Sequence, residues 1–377
     1  MKKQRSKQHS IVISGYYGYG SIGDEAVLFS ILSGIAERLP GAKVCVLCAD
    51  RDSLPDIAGI TLFAKSRTNP FSVISALLGA DLFISGGGSL MQDATSSRSL
   101  SYYCALLHLA KLCGCKIYVY ANGIGPLKNE KKCRCALLLA DLISVRDRAS
   151  HETVKRLTKE SSPPVLSADP VFAHPFPNRR TLFLRFSAGH AKMPYFAVSL
   201  RSCKSSGTVN LKELEVAISA LSKDGYFPVF VSMQDCYDLE ICQTMAEMTG
   251  GAVASVGDGD ELYCLLEKAS FAVGMRLHFL LTAALAGTPL VALSYDCKVE
   301  GCLEELAEGF ILSAFDFSKE ELLEAVCNAR KSFSRRKTEE ICLRLRSLAL
   351  RDMDGILTLL EKDENKASAG EKFFADT

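Results

Sequence analysis

Short apolar runs alternate with amphipathic segments along most of the chain. In the first half, the apolar runs predict strands at 11–14, 43–49, 81–85, 116–121 and 142–145. The stretches between them, such as "DEAVLFSILSGIAERL", carry apolar residues at helical spacing. Strands separated by helices are typical of parallel βαβ units. The first half therefore predicts a Rossmann-like domain over residues 10–172.

The second half repeats this alternation. Its predicted strands lie in "YFAVSLR", "YFPVFVSM", "SFAVGM" and "PLVALSY", with helical stretches between them. They predict a second Rossmann-like domain over 190–335, after a Pro-, Arg- and Gly-rich junction near 173–194. Residues 336–362 read as one long C-terminal helix and 363–377 as a loose tail. The fold class is α/β, with two mostly parallel sheets facing a cleft and ligands outside the carboxyl ends of the strands.

The composition is that of an ordinary globular protein. Of the 377 residues, 48% are hydrophobic and 23% are charged, and the formal net charge is +1. Such a balance gives no electrostatic footprint for nucleic acid. No apolar run reaches the roughly 20 residues that cross a bilayer. The basic start of the chain precedes only "IVIS", which is shorter than a signal-peptide core. We therefore expect a cytoplasmic protein.

Fifteen cysteines are scattered through the chain, many of them inside apolar runs. Without a secretory signal, buried reduced thiols are expected rather than disulfides. Cys45 and Cys48 have the CxxC spacing of zinc or redox sites, but they lie in a predicted strand with no second pair nearby. A place in the core is the favoured interpretation, and no metal site is predicted.

A glycine-rich loop follows the first strand. Gly18, Gly20 and Gly23 spell the GxGxxG of dinucleotide-binding proteins. However, Asp24 and Glu25 occupy the first turn of the following helix, where they favour the helix dipole and repel a pyrophosphate. Gly18 also comes late after the strand, and the acid expected for the ribose is only loosely matched. We interpret the loop as a tight, capped turn, and not as a nicotinamide or flavin site.

Other strand ends carry residues suited to binding. The third strand runs into a glycine triplet with polar neighbours, which can form a cradle for an anion or a hydroxyl. Asn122 follows the fourth strand and is expected to face the cleft. The candidates for acceptor or cleft loops are Gly86, Gly87, Gly88, Ser89, Gln92, Asp93 and Asn122.

Cationic residues follow three further strands. Arg146 comes just after the fifth strand, either as an ion pair with Asp147 or as an anion clamp. Arg276 and His278 open a helix after a strand that Gly274 closes, and Lys298 follows the next strand. Arg276, His278 and Lys298 are therefore predicted to converge at the carboxyl edge of the second sheet.

The same region bears on nucleotide-sugar glycosyltransferases of double-Rossmann shape, which resemble this chain around "AGTPLVA". Those enzymes carry two glutamates before that glycine, where this chain has Thr282 and Gly274. Glu300 and Glu308 have the expected mutual spacing but lie in a different place. We interpret the spacing as coincidence.

Together, these segments resemble the polysaccharide pyruvyl transferase family, in its CsaB-type bacterial cell-wall branch. In chain order they are "GYYGYGSIGDEAVL", "DLFISGGGSLMQDATSSRSLSYY", "GIGPL", "ISVRDRAS", "SADPVF", "VSLR" and "GMRLHFLLTAALAGTPLVALSYDCKV". They span most of the chain between residues 11 and 300, and their combination is more specific than any one of them. Two departures lie outside the candidate site: "YANGIGPL" replaces a more usual Gln-Gly pair, and Cys297 stands where proline is common.

The resemblance implies a GT-B-like fold and transfer of a pyruvyl group from phosphoenolpyruvate, the donor substrate, with no cofactor. The acceptor would be a sugar, often N-acetylmannosamine in a lipid-linked cell-wall precursor, and the products a cyclic ketal and phosphate. Matching motif positions make Arg146, His278 and Lys298 donor-binding candidates, and Arg276 joins them because phosphoenolpyruvate carries about three negative charges. His278 is expected to be the general acid or to polarise the phosphate. Asp24 is either the base for the acceptor hydroxyl or a helix cap.

Two further expectations follow. The basic N-terminus, with Lys2, Lys3, Arg5 and Lys7, can touch anionic lipid at the inner face of the membrane, although a solvated tail is the simpler interpretation. The alternative function is a GT-B glycosyltransferase that uses a nucleotide sugar.

Overall fold

The computed structural model describes residues 8–93, 97–159, 161–176, 193–202, 209–306 and 310–375. The chain forms two compact units. Unit 1 comprises Met1–Tyr19, Val27–His174 and Leu345–Thr377, and unit 2 comprises Gly20–Ala26 and Pro175–Arg344.

Unit 1 is built on an eight-stranded sheet within its described residues, and all of the strand pairs are parallel. The strands run in the order β3-β2-β1-β4-β6-β7-β8, and β5 pairs with β6. Their bounds are β1 Ser10–Ser14, β2 Lys43–Cys48, β3 Thr61–Ser66, β4 Leu82–Ser85, β5 Gly88–Met91, β6 Lys116–Ile124, β7 Leu142–Val145 and β8 Val165–Leu166.

Helices alternate with these strands, as the apolar periodicity predicts. They are α1 Ile22–Arg38, α2 Pro70–Leu77, α3 Ser97–Leu112, α4 Glu130–Leu137 and α5 Arg148–Thr158, with a 3-10 turn at Pro170–Ala173. Local chemistry fixes where several of them begin. The Asn69 side chain accepts from the first backbone N–H groups of α2, and the Asp147 side chain accepts from Ser150 N in α5.

Unit 2 contains a second parallel sheet, in the order β11-β10-β9-β12-β13-β14 over its described residues. The strands are β9 Tyr195–Ser199, β10 Phe227–Val231, β11 Ala252–Ala254, β12 Ala272–Gly274, β13 Leu290–Ser294 and β14 Phe310–Ser313. The helices are α6 Leu211–Lys223, α7 Asp235–Thr249, α8 Gly259–Lys268, α9 Leu277–Leu285, α10 Cys297–Leu306 and α11 Lys319–Ser332. A final helix, α12, spans Arg335–Ala375 and crosses from unit 2 into unit 1.

Each sheet has one point where the strand order reverses direction. In unit 1 it lies between β1 and β4, and in unit 2 between β9 and β12. Connections leave these two central strands toward opposite edges, which opens a crevice at their carboxyl ends. Ligands of doubly wound sheets bind in that crevice, so these two strand pairs are where the fold favours a site.

The C-terminal helix differs from the sequence-based prediction. It was expected at 336–362 with a loose tail at 363–377, whereas α12 continues to Ala375. The tail sequence "ENKASAGEKFFA" is rich in Glu, Lys and Ala and contains no proline, so it has no strong stop signal. From Leu345 onward the chain also returns to unit 1, which the predicted domain bounds did not include.

Asp352 anchors this returning helix to unit 1. Its carboxylate is buried and accepts hydrogen bonds from Tyr118 Oη (2.8 Å) and Ser167 Oγ (2.6 Å). One turn on, Gly355 lies so close to Tyr118 and Leu142 that a Cβ there would clash with both side chains. Burial raises the pKa of Asp352 to about 6. The helix is therefore held to the first sheet by a polar contact as well as by packing.

The cysteines of the CxxC motif lie within the first sheet. Cys45 and Cys48 are buried in β2, and both are free thiols. Burial raises the pKa of Cys45 to about 11, which keeps the thiol protonated at neutral pH. Among the described residues, no helix has the length and apolar character needed to cross a bilayer.

Candidate functional site

In unit 2, two arginines follow the central strands of the sheet. Arg201 comes two residues after β9, and Arg276 two residues after β12. The Arg276 guanidinium forms a two-pronged ion pair with Asp238, with Nη2 2.6 Å from Oδ1 and Nε 2.9 Å from Oδ2. Because β9 and β12 flank the reversal point, the fold places both arginines at the edge where it favours a ligand.

The carboxylate of Asp238 interacts electrostatically with both arginines. It is fully buried in α7, and its Oδ2 also accepts from the backbone N–H of Gln234. Burial raises the pKa of Asp238 above its ordinary value, against the opposing effects of Arg276 and Arg201. Arg201 Nη1 also donates to Tyr295 Oη (2.9 Å), just after β13. Two guanidinium groups thus interact with this buried carboxylate at the carboxyl edge of the second sheet.

The N-terminus of α9 adds a further positive element to this edge. Arg276 is the N-cap residue, and its side chain makes no capping hydrogen bond because it is turned to Asp238. The first backbone N–H groups of a helix carry a partial positive charge and bind anions. His278 is the second residue of α9 and is half-buried. Arg276 and His278 therefore both lie at the N-terminus of α9, just after β12.

His278 packs against the glycine-rich loop. A Cβ built on Gly23 would overlap the imidazole, with Nδ1, Cγ and Cβ of His278 as its nearest neighbours. The backbone of the same turn is fixed by a hydrogen bond from Ile22 N to Met233 O (3.0 Å). The third glycine of GxGxxG is thus required by a histidine side chain, and this contact explains it without a dinucleotide.

Asp24 lies beside this contact, in the first turn of α1. Its Oδ2 accepts a short hydrogen bond from Ser21 Oγ (2.5 Å) within the same turn. The neighbouring Gly23 touches His278, so the two predicted catalytic residues belong to one region of unit 2. The geometry is compatible with both roles considered for Asp24, a cap of α1 and a base.

Lys298 falls in the first turn of α10, and its side chain lies outside the described part of the chain.

Arg146 belongs to unit 1 and is held by neighbours. Nη1 lies 2.7 Å from Asp169 Oδ2, Nη2 donates to Ser89 Oγ (2.7 Å), and Nε is 3.8 Å from Asp147 Oδ2. The side chain is 3% exposed. From the sequence, Arg146 was expected either to form an ion pair with Asp147 or to clamp an anion. The structure shows ion pairing, more closely with Asp169 than with Asp147.

The glycine triplet is closely packed. A Cβ on Gly86 would overlap Tyr17 Oη, and one on Gly87 would lie 2.8 Å from both Pro170 and Val27. Gly88 has a φ of 110°, which side chains rarely adopt. All three are buried, so each is explained by packing or backbone conformation. The structure does not present them as an exposed cradle.

Two other loop candidates are turned inward. Asn122 was expected to face the cleft, but it is fully buried, and its Nδ2 donates to the carbonyls of Ser85, Gly86 and Tyr120. Asp93 is also buried, with its carboxylate accepting from the backbone N–H groups that lead into α4. These two side chains satisfy backbone groups at the strand ends, which is why polar residues occur there. Gln92 follows β5 and is half-buried.

Three residues near these edges were not singled out from the sequence. Arg201 was detectable, since it ends the segment "VSLR" directly after a predicted strand. Asp238 gave no such signal, because it lies inside a helix that contains several acids. Arg67 follows β3, a strand that the sequence reading missed.

Comparison with solved structures shows the fold. S. aureus MnaA, in a co-structure with UDP, aligns with a TM-score of 0.63 at 10% identity, over 95% of this chain and 97% of that one. UDP-GlcNAc 2-epimerase from Neisseria meningitidis, bound to UDP-GlcNAc, gives 0.60 at 10% identity over 94% and 100%. Anabaena HepE, in complex with UDP and glucose, gives 0.54 at 15% identity over 96% and 100%. The predicted GT-B-like α/β fold is confirmed.

Comparison of the sequence with family models gives a match, whereas comparison with curated proteins does not. None of the curated proteins matches this sequence. A family model described as polysaccharide pyruvyl transferase matches residues 22–296, a range that begins at the first residue of α1 and ends two residues after β13.

Proposed function

The chain belongs to the polysaccharide pyruvyl transferase family, and from this premise we propose that it transfers the pyruvyl group of phosphoenolpyruvate to two hydroxyls of one sugar. The products are a cyclic pyruvate ketal and phosphate. Within the family we assign it to the CsaB-type cell-wall branch. The proposed acceptor is an N-acetylmannosamine unit of a lipid-linked polysaccharide precursor.

One observation carries the choice of donor. At the reversal point of the second sheet, Arg201 and Arg276 both interact with the buried carboxylate of Asp238, next to the N-terminus of α9. Phosphoenolpyruvate combines a carboxylate with a phosphate and carries about three negative charges near neutral pH. Arginine binds such oxyanions through paired N–H groups. The guanidinium and backbone N–H groups at this edge are of the kind that bind these oxyanions.

The reaction begins with a proton transfer to carbon. His278 donates a proton to the methylene carbon of phosphoenolpyruvate, which becomes a methyl group and leaves an oxocarbenium-like centre at the neighbouring carbon. A first sugar hydroxyl attacks that centre. The C–O bond to phosphate then breaks, and a second hydroxyl of the same sugar attacks to close the ketal. Arg276 and the N-terminal N–H groups of α9 stabilise the departing phosphate.

The protons balance over these reaction steps. The two hydroxyls lose two protons: one replaces the proton that His278 gave to carbon, and the other leaves with the phosphate. Asp24 is the proposed acceptor of the first hydroxyl proton, because Gly23 brings its turn against His278. The packing of His278 on Gly23 holds the imidazole beside this turn, which supports the proposed pairing of the two residues. No cofactor or metal enters this scheme.

Lys298 and Arg146 are further proposed donor-binding residues, because their positions match motifs of the family. Lys298 lies in the first turn of α10, the helix that follows β13. Arg146 is paired with Asp169 in unit 1, so donor binding through it requires an exchange of that partner. We propose the exchange rather than a free guanidinium. Ser89 in β5 and Gln92 directly after it are proposed to contact the acceptor.

A lipid-linked acceptor places the reaction beside a membrane. We propose a cytoplasmic enzyme that meets its acceptor at the inner face, where the basic residues near the N-terminus attract anionic lipid. Those residues lie outside the described part of the chain. Sedimentation with vesicles, with and without the first seven residues, tests this part by itself.

Calorimetry tests the choice of donor. The full-length protein should bind phosphoenolpyruvate, and Arg276→Gln should weaken that binding by roughly tenfold or more. Glu130→Gln, at an exposed ion pair of unit 1, is the control and should bind like the wild type. Binding of a UDP-sugar in place of phosphoenolpyruvate would instead favour nucleotide-sugar glycosyl transfer.

A further inference from the structure

Arg67 is a buried arginine at the carboxyl edge of the first sheet. It follows β3 and is 8% exposed. Its Nη1 donates to the carbonyl of Gly15 (2.9 Å), and its Nη2 donates to Tyr103 Oη (3.2 Å). Tyr102 Oη donates to the Arg67 carbonyl (3.0 Å) and so fixes the backbone. Two groups of unit 1 thus hold the side chain, and a third holds the backbone.

Tyrosine rings surround the guanidinium group. Its central carbon lies 4.6 Å from the ring centroid of Tyr102, 5.1 Å from that of Tyr19 and 5.6 Å from that of Tyr103. Within the described part of the chain, no carboxylate forms an ion pair with Arg67. Arg146 and Arg276, in contrast, each contact an aspartate at 2.7 Å or less. A buried cation without a counter-ion is costly, and cation–π contacts offset only part of that cost.

The guanidinium group lies at the reversal point of the first sheet. Arg67 directly follows the edge strand β3, but its side chain extends past the end of β2 to Gly15, the residue directly after β1. β1 and β4 are the strands between which the sheet order reverses. Doubly wound sheets bind ligands outside the carboxyl ends of these strands. Arg67 therefore brings its charge to the position that the fold favours for a ligand.

We propose that Arg67, Tyr19, Tyr102 and Tyr103 form an anion-binding site for a phosphate group of the saccharide acceptor. This assignment to the acceptor rests on the proposed function. The two hydrogen bonds use two of the five N–H groups of the guanidinium, and the others match phosphate oxygens. Tyr19 is 37% exposed and stacks on Tyr16 with ring centroids 4.4 Å apart, which offers an aromatic face beside the charge. The charge holds the phosphate, and the rings contact the attached sugar.

Calorimetry of the full-length protein tests this site with two probes, inorganic pyrophosphate and phosphoenolpyruvate. Arg67→Gln should weaken pyrophosphate binding by roughly tenfold or more and change phosphoenolpyruvate binding by less than about twofold. Arg98→Gln is the matched control, because Arg98 lies exposed in α3, the helix that carries Tyr102 and Tyr103. It should bind both probes like the wild type.

Arg67→Lys covers the case in which Arg67→Gln fails to fold. Lysine keeps the charge but lacks the planar fork, so pyrophosphate binding should weaken by roughly threefold or more. Wild-type affinity for pyrophosphate in either folded variant, or no pyrophosphate binding by the wild type, would overturn the site. Loss of phosphoenolpyruvate binding in Arg67→Gln would overturn the assignment to the acceptor. If phosphoenolpyruvate does not bind the wild type, the proposed donor fails, and the pyrophosphate result still decides the role of Arg67.

Discussion

The imidazole of His278 occupies the space that a side chain at residue 23 would need. Gly23 lies in the first turn of α1 and His278 in the first turn of α9, and the two are in direct contact within unit 2. A glycine at position 23 is therefore the condition for the observed place of His278. The contact links the glycine-rich loop to the residue that we propose as the general acid.

Gly23→Ala should displace His278 and lower turnover by about tenfold to a hundredfold, because small misplacements of a catalytic group are costly. Alanine is the better helix former by about 1 kcal/mol, so weakening of α1 cannot explain such a loss. The measurement is phosphate release from phosphoenolpyruvate in the presence of acceptor.

Gly301→Ala is the matched control for this substitution. Gly301 also lies within a helix, α10, but a Cβ there meets nothing within 4 Å. It should leave turnover close to that of the wild type. Equal turnover in Gly23→Ala and Gly301→Ala would show that the packing of His278 on Gly23 does not matter for the reaction.

Removal of Asp238 should destabilise the fold. Asp238→Ala leaves the largely buried Arg276 guanidinium without its carboxylate, and breaking a buried pair in this way costs about 3–5 kcal/mol in the free energy of unfolding. Glu130→Ala breaks the exposed pair with Arg156 and should change that free energy little. Urea unfolding of the two variants decides the matter. Equal losses would mean that Arg276 finds another partner.

The alternation of apolar and amphipathic segments predicted the parallel sheets because buried parallel strands are continuous apolar runs. It missed β3, whose sequence "TLFAKS" lies at the sheet edge and is partly exposed, with polar residues inside the strand. Three short strands, β5, β8 and β11, and the edge strand β14 escaped it as well. The return of α12 to unit 1 depends on contacts such as that of Asp352 with Tyr118, which join residues far apart in the chain.

Residues of the candidate site were predictable where they directly follow a predicted strand. Arg276 and His278 were identified in this way, because the carboxyl end of a strand is where the fold favours ligands. Arg67 escaped because its strand was missed, and Asp238 because a helix supplies it. Asn122 was misread, since spacing does not reveal that its amide satisfies backbone carbonyls inside the sheet.

The stability of unit 1 should depend on the protonation of Asp352. Its pKa is raised to about 6 in the folded protein, above the ordinary value of 3.8. This group therefore contributes stability below the unfolded pKa and loses that contribution as the pH rises through the folded pKa. Each pH unit of difference between the two pKa values corresponds to about 1.4 kcal/mol.

Asp352→Asn isolates this effect, because asparagine stays neutral at both ends of the range. The unfolding free energy of the wild type relative to Asp352→Asn should be higher near about pH 4 than near about pH 7. Urea unfolding at the two pH values provides the comparison. A difference that does not change with pH would mean that Asp352 titrates normally.

The cysteines should react according to their burial. Cys135, Cys236 and Cys327 are exposed and should be labelled rapidly by a thiol reagent, whereas Cys45 and Cys104 are buried with pKa values raised to about 11. Labelling of the buried pair should accelerate only when urea unfolds the protein. Mass spectrometry of digested, labelled protein reads each site, and rapid labelling of Cys45 in the native state would contradict a core role.

The most direct test of pyruvyl transfer is the stoichiometry of one reaction. The full-length protein is incubated with phosphoenolpyruvate and a lipid-linked analogue containing N-acetylmannosamine, and both phosphate release and the mass of the acceptor are followed. We predict that one phosphate is released for each pyruvyl group gained by the acceptor, and that a folded His278→Ala variant loses both activities. Phosphate release without a pyruvyl gain on the acceptor would contradict this prediction.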